Sequence, residues 1–350
     1  MTVIVGIGTL KGAWFARSDD RVVWDLDGPH LKGWEVSTLG RAPNGDYLAA
    51  IASNWYGAAI HRSTDLTAWD QIVDGPAYPA EVGRSLERIW TFHNADGRLY
   101  AGVAEAGLFM SEDAGATWDL VAGLTEHATA AAWGPGLGGL ALHRIITDSG
   151  DPARMWVAIS AVGVFATSDG GASWQLRNGG VTPAAPSDDL DIGYCVHSIV
   201  ADSEQPDTLW RQDHRGVYRT TDGGMQWSQI HNGIPGSGFG FPIARDPSTG
   251  ALFLVPLESD EYRMPVDGRL RVYRSLDGGE SWHVSGGGLP EHPSHSGVLR
   301  DAMDVDGWVD GGIYFGTTGG EVWFSTDVGE RWSRLPATFP RITSIEVLDA

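Results

Sequence analysis

The chain has 350 residues, enough for one large domain or two of average size, and sets 24 Lys+Arg against 45 Asp+Glu for a formal charge of −21. That balance argues against nucleic acid or an anionic membrane as partner. No apolar run is long enough to span a bilayer, and a single cysteine, Cys195, excludes an internal disulfide framework.

In chain order, residues 2–9, 13–17 and 22–26 read as three short strands. Residues 1–8 carry neither the basic nor the continuous apolar stretch of a secretory leader, so a soluble cytoplasmic protein is expected. The third strand follows a turn spelled Ser18/Asp20/Trp24, and a relative, Ser63/Asp65/Trp69, comes one unit later. Five fuller copies follow: Ser111/Asp113/Gly115/Trp118, Thr167/Asp169/Gly171/Trp174, Thr220/Asp222/Gly224/Trp227, Ser275/Asp277/Gly279/Trp282 and Ser325/Asp327/Gly329/Trp332. (The Gly two after the Asp is Gly115, Gly171, Gly224, Gly279 and Gly329.) Each copy follows a β-like run such as Gly216-Val217-Tyr218-Arg219 and precedes a second short run, which reads as strand, tight turn, strand.

In each turn, Ser/Thr and Asp side chains can bond backbone amides, Gly tolerates positive φ, and Trp packs on a neighbour. Asp113, Asp169, Asp222, Asp277 and Asp327 are therefore read as structural. The seven aspartates recur every 45 to 56 residues, the length of a four-stranded propeller blade with variable loops. The expected fold is all-β, a seven-bladed β-propeller of four-stranded blades in one domain over 1–350. Six blades fall at about 34–75, 82–122, 140–178, 194–232, 238–287 and 297–335. The lone C-terminal strand (341–350) joins residues 2–30 as the seventh, closing the ring and removing its open edges. No helix of ordinary length is expected, and Gly/Pro-rich connections at 122–140, 178–193 and 286–296 are expected to cover one face.

The turn spelling resembles the Asp-box, or bacterial neuraminidase repeat, of the sialidase-like β-propellers, and the resemblance runs the length of the chain. It implies a fold rather than an activity, because propellers with this box include sialidases, xyloglucan hydrolases, sorting-receptor domains and photosystem assembly factors. A sialidase further implies an Arg-Ile-Pro signature near the N-terminus, and none occurs; Pro340-Arg341-Ile342-Thr343 lies at the other end without the Pro. The chain is more similar to bacterial proteins labelled glycosyl hydrolase or neuraminidase-repeat protein, with true sialidase activity disfavoured.

A site is expected on the face opposite the repeated turns, at the channel mouth. Aligning the innermost strands matches His143-Arg144-Ile145 to His197-Ser198-Ile199 with equal spacing to Asp148/Asp202 and Trp156/Trp210. By the same register Glu87 and Glu35 take the matched position in two neighbours and Gly240 in a third, with the last blade open between Asp301 and Ala302. Arg211-Gln212-Asp213-His214 should hang beside His197.

Three readings stand. His143, His197 and His214 can hold a divalent metal with Asp213 as ligand or orienter. Glu87 with His143 can act as an acid/base pair, with His197 and His214 assisting. Or these side chains only bond loop backbone. Arg88 and Arg144 would clamp an anion, and Glu35, Trp55, Tyr194, Tyr262 and Arg300 would line a site for a small carbohydrate-like ligand. Asp304-Val305-Asp306-Gly307 faintly suggests a calcium loop and reads better as a turn. The leading expectation is a propeller hydrolase or lyase. The alternative is a non-catalytic scaffold binding another protein, perceptible as an apolar patch around Trp133.

Overall fold

A computed structural model describes residues 2–184 and 191–350; part of the expected 178–193 connection lies outside the described residues. Strands dominate. Among the described residues the helical segments are single turns, the longest being Ala122–Thr125. The strands form five four-stranded sheets and one of eight.

The four-stranded sheets begin with the strands Glu35–Arg41, Arg88–Ala95, Leu142–Thr147, Val196–Ala201 and Gly240–Arg245, and each then runs outward by antiparallel hairpins. The eight-stranded sheet is two such units. One starts at Val298–Val305. The other starts at the C-terminal strand Ile342–Asp349, which pairs antiparallel with Val3–Thr9 through Val5↔Val347 and Ile7↔Ile345. A single parallel bridge, Asp301↔Ser344, joins the units. The expected partner for the lone C-terminal strand is therefore found, and it covers the edge that Val3–Thr9 would otherwise leave unpaired. Each unit's leading strand packs on the next, and Ile342–Asp349 packs on both Val298–Val305 and Glu35–Arg41.

The hydrophobic core is distributed as layers between neighbouring sheets rather than gathered at one centre. Leu48, Ala50 and Ile60 meet Leu99 and Phe109 in one layer, and Trp210 meets Leu252, Leu254 and Trp282 in another. The second strands Met155–Ile159 and Leu252–Pro256 are buried throughout because sheets cover both of their faces. Each fully buried aromatic or branched side chain contributes about 1.5–3 kcal/mol.

The repeated turns are built as their spelling requires. Ser275 Oγ donates to Asp277 Oδ1 (2.7 Å) and accepts from the Gly279 amide (2.8 Å), while Asp277 accepts from the Ser281 amide (3.0 Å) and hydroxyl (2.6 Å). The hydroxyl-to-Asp bond and the amide closure recur at Asp113, Asp169, Asp222 and Asp327, and the second hydroxyl recurs at Asp113 and Asp169, Gln226 and Arg331 taking its place in the other two. Three of the five tryptophans then tie units together, while Trp118 and Trp174 donate within their own turns to Gly115 O and Gly171 O. Trp227 donates to Arg177 O, Trp282 to Ile230 O and Trp332 to Ser285 Oγ, each in the preceding unit. In those three turns the indole supplies both the buried area and an N–H donor to the neighbouring unit. The suspected calcium loop is a strut. Asp306 accepts from Arg21 (3.1 Å), Tyr314 Oη (2.8 Å) and the Gly312 amide (3.0 Å), crossing from the first unit to the last.

Candidate active site

The leading strands carry a β-bulge near their starts, and the bulge fixes which residues correspond. The pairing register slips across Ser37, Trp90, His143 and His197, across 241–242, and over the wider stretch 299–302. His143 and His197 are thus equivalent, as their spacing predicts. Glu35 and Glu87 are not at the matched positions; Ser37 and Trp90 are. Spacing counted along the chain missed this because the hairpins leaving those two strands are shorter (Ala95↔Arg98 and Arg41↔Tyr47 against Thr147↔Met155), whereas the bulge is set by the pairing itself.

The bulge residues share one task. Ser37 Oγ donates to Ile89 O (2.8 Å), His143 Nε2 to Val196 O (3.2 Å), His197 Nδ1 to Gly240 O (2.6 Å) and Thr343 Oγ1 to Val36 O (2.6 Å). In each case the acceptor is the carbonyl just before the bulge of the following unit. These side chains fasten one unit to the next. Burial, aided by the nearby Arg300 charge, holds both histidines well below the usual imidazole range, so both are neutral donors at physiological pH.

The arginines and carboxylates form a second layer. Arg88 pairs with Glu35 (2.7 Å) and lies over Trp90, which Arg300 also flanks. Arg144 donates to Ser198 Oγ (3.1 Å) and is within electrostatic reach of Asp301, Asp304 and Glu346. Those three carboxylates come from Val298–Val305 and Ile342–Asp349, adjacent strands from either side of the chain's last turn. Burial raises all three. Glu346 is raised furthest, because Asp304 and Asp301 add like charge, while the Val347 amide (2.7 Å) restrains Asp304. Arg144, Arg300 and Arg88 restrain Asp301. Neighbouring carboxyls whose proton affinities are set apart by unequal surroundings, Glu346 above Asp301 and Asp304, are what general acid–base chemistry uses.

The remaining expected residues are scattered. Glu87 is exposed on the approach to its strand, so it does not meet the buried His143. Asp213 is fully buried and taken by Arg211, whose Nε lies 2.7 Å away, so it orients no metal ligand. Tyr194 Oη bonds Asp191 (2.5 Å), and burial pushes its phenol up to about 12. Tyr262 and Trp55 are exposed, the latter at 91%. Trp55 neighbours Tyr56 on one turn, and Tyr56 packs edge-on against Trp34 (5.8 Å). Trp133 is buried against Phe165 rather than forming the expected apolar patch.

For a metal, the chain brings together Cys195, His197 and His214, whose ligand atoms lie within 4.8 Å of one another; His143 is not in this group. Reading the sequence missed Cys195, since a solitary cysteine carries no spacing signal, and missed Asp301, Asp304 and Glu346. Asp301 was in view as one of two registers, but the meeting of the last two strands that joins it to Glu346 is not written in local pattern.

No family model matches the chain. It is 22% identical, over 87% of its length and 44% of the relative's, to an oligoxyloglucan-reducing end-specific xyloglucanase from Emericella nidulans. Among solved structures it is similar to a Niastella koreensis GH74 enzyme, with a TM-score of 0.60 at 16% identity over 93% of this chain and 54% of that one. It is also similar to the WD40 β-propeller domain of Doa1, with a TM-score of 0.54 at 10% identity over 95% and 90%. The chain thus spans about half the length of these two enzymes. What these likenesses establish is an all-β propeller fold with distant similarity to propeller glycosyl hydrolases.

Proposed function

We propose that the seven four-stranded units close into a seven-bladed propeller, and that the chain cleaves glycosidic bonds in a carbohydrate-like substrate at the mouth of its channel. The observation that carries this reading is the placement of Asp301, Asp304 and Glu346 on the adjacent strands Val298–Val305 and Ile342–Asp349, within electrostatic reach of Arg144. Glycoside hydrolysis uses one protonated carboxyl to donate to the leaving oxygen and one carboxylate to activate water or attack the sugar. Glu346, whose carboxyl is raised well above the usual range, fits the donor. Asp301, raised by burial but restrained by Arg144, Arg300 and Arg88, fits the carboxylate of the pair. Trp34, Trp55 and Tyr56 supply exposed ring faces on which a sugar can stack.

His143 and His197 have no proton-transfer role in this scheme; they hold the mouth in shape. The likeness to a xyloglucanase supports a glucan-type substrate without supplying the rest of that longer protein.

The test is reducing-end release from xyloglucan oligosaccharides and other β-glucans. Glu346→Gln and Asp301→Asn should each lower turnover by about 10²–10⁴-fold, the usual worth of a positioned acid or base. Activity should fall on the alkaline side as Glu346 gives up its proton. The second reading, a protein- or glycan-binding propeller without turnover, is favoured by the exposed Trp55 and Tyr56. It would prevail if no substrate turned over while Trp55→Ala abolished binding and Glu346→Gln left it intact.

A further inference from the structure

We infer that Cys195, His197 and His214 form a zinc site, with three protein ligands and a fourth position left to solvent or a small ligand. Their donor atoms already lie within 4.8 Å of one another, with Cys195 Sγ 3.5 Å from His197 Nε2. The backbone builds the group: the His214 amide donates to Cys195 O (3.0 Å), which clamps the turn carrying His214 onto the residue ahead of the strand Val196–Ala201.

Each imidazole is oriented as a metal ligand by a partner on its other nitrogen. His197 Nδ1 donates to Gly240 O (2.6 Å), which leaves the Nε2 lone pair toward the thiol. His214 Nε2 donates to Asp260 Oδ2 (2.7 Å), and its Nδ1 is buried without any hydrogen-bond partner. A histidine with one nitrogen committed to a carbonyl or carboxylate and the other turned toward the donor group is the pattern of metal-bound imidazole. Phe239 lines both rings at 5.2 Å, and Phe241 lies 4.9 Å from His197, which keeps the donors in a low-dielectric wall.

One sulfur with two imidazoles suits Zn²⁺ better than Mg²⁺ or Ca²⁺, which take oxygen donors. The thiol would release its proton to solvent as its sulfur binds the metal. Arg300 and Arg263 bring positive charge near the group, opposed by Asp213 and Asp260, and Arg300 has Nε and Nη1 buried without partners. An anionic fourth ligand would therefore be accommodated. The site needs none of Asp301, Asp304 or Glu346, so it stands whether or not the chain is a glycosidase.

The test uses full-length protein purified without an affinity tag, exchanged through chelator, then titrated with Zn²⁺ and, separately, Co²⁺. About one equivalent should be retained, and the cobalt form should show thiolate-to-metal charge transfer. Cys195→Ser should abolish that absorption and weaken Zn²⁺ at least about tenfold, and Asp260→Asn, an outer-shell change on the exposed turn, should weaken it about tenfold. Circular dichroism of each variant checks the fold. Absence of zinc retention by folded wild type, or retention unchanged in folded Cys195→Ser, overturns the site.

Discussion

The outer turns and the inner strand starts use the same residue types to opposite ends. Asp277 sits on an exposed turn where hydrogen bonds from Ser281, hydroxyl first and then amide, hold its carboxyl down to about 2. Glu346 sits among other carboxylates, where burial and like charge drive it far the other way. The first arrangement is repeated around the chain, each time with a Ser or Thr hydroxyl two residues before the Asp and an amide four residues after it as donors; the second occurs once among the described residues, where two particular strands meet. A carboxylate that is solvated and donated to is a clasp, and one that is desolvated and crowded is a proton source.

That contrast is sharpest in turnover. Glu346→Gln should remove about 10²–10⁴-fold of activity, whereas Asp277→Ala should leave turnover unchanged in the same assay; an equal loss from both would collapse the distinction. The indoles beside the clasps should matter to folding instead. Trp282→Ala removes a 2%-exposed side chain and its bond to Ile230 O, and should cost about 3–5 kcal/mol in denaturant titration.

Next comes pH. His143, His197 and His93 are all depressed below 6.5 by burial, His93 to about 4. Their neutral forms stabilise the fold fully above pH 6.5, and that stability is lost as pH falls from there toward the folded-state values. The slope is up to about 1.4 kcal/mol per pH unit per histidine. Urea midpoints between pH 7 and 4.5 should fall steeply in wild type and less steeply in His143→Gln; identical slopes would deny the buried-neutral assignment. The clasp aspartates respond in a lower window. Asp113, Asp169 and Asp277 are depressed to about 2, so their contribution is present above pH 4 and lost only as pH falls through about 2. The smallest effect is that of Asp277→Ala on stability. It should lower the thermal midpoint by a few degrees at neutral pH, an effect that should vanish near pH 2.

The contrast also explains how far reading the sequence reached. The clasps were legible because their bonds close within a few residues: Ser275, Asp277, Gly279 and Ser281 meet wherever the turn forms. The equivalence of His143 and His197 was legible because two units share one spacing. Glu87 was misplaced because matched positions are set by a bulge in the pairing, which puts Trp90 there.

By itself, the sequence determined an all-β chain of repeated strand–turn–strand units, the Asp/Ser/Trp closure of each turn, and a C-terminal strand that needs a partner. All of these follow from side-chain periodicity and short-range hydrogen bonding. Only the tertiary structure decided that Asp301, Asp304 and Glu346 come within electrostatic reach of one another and of Arg144, that His143 and His197 fasten neighbouring units, and that Cys195 joins His197 and His214. Those juxtapositions depend on which strands become neighbours and on what burial does to a charge. Neither is encoded in any single stretch of the chain.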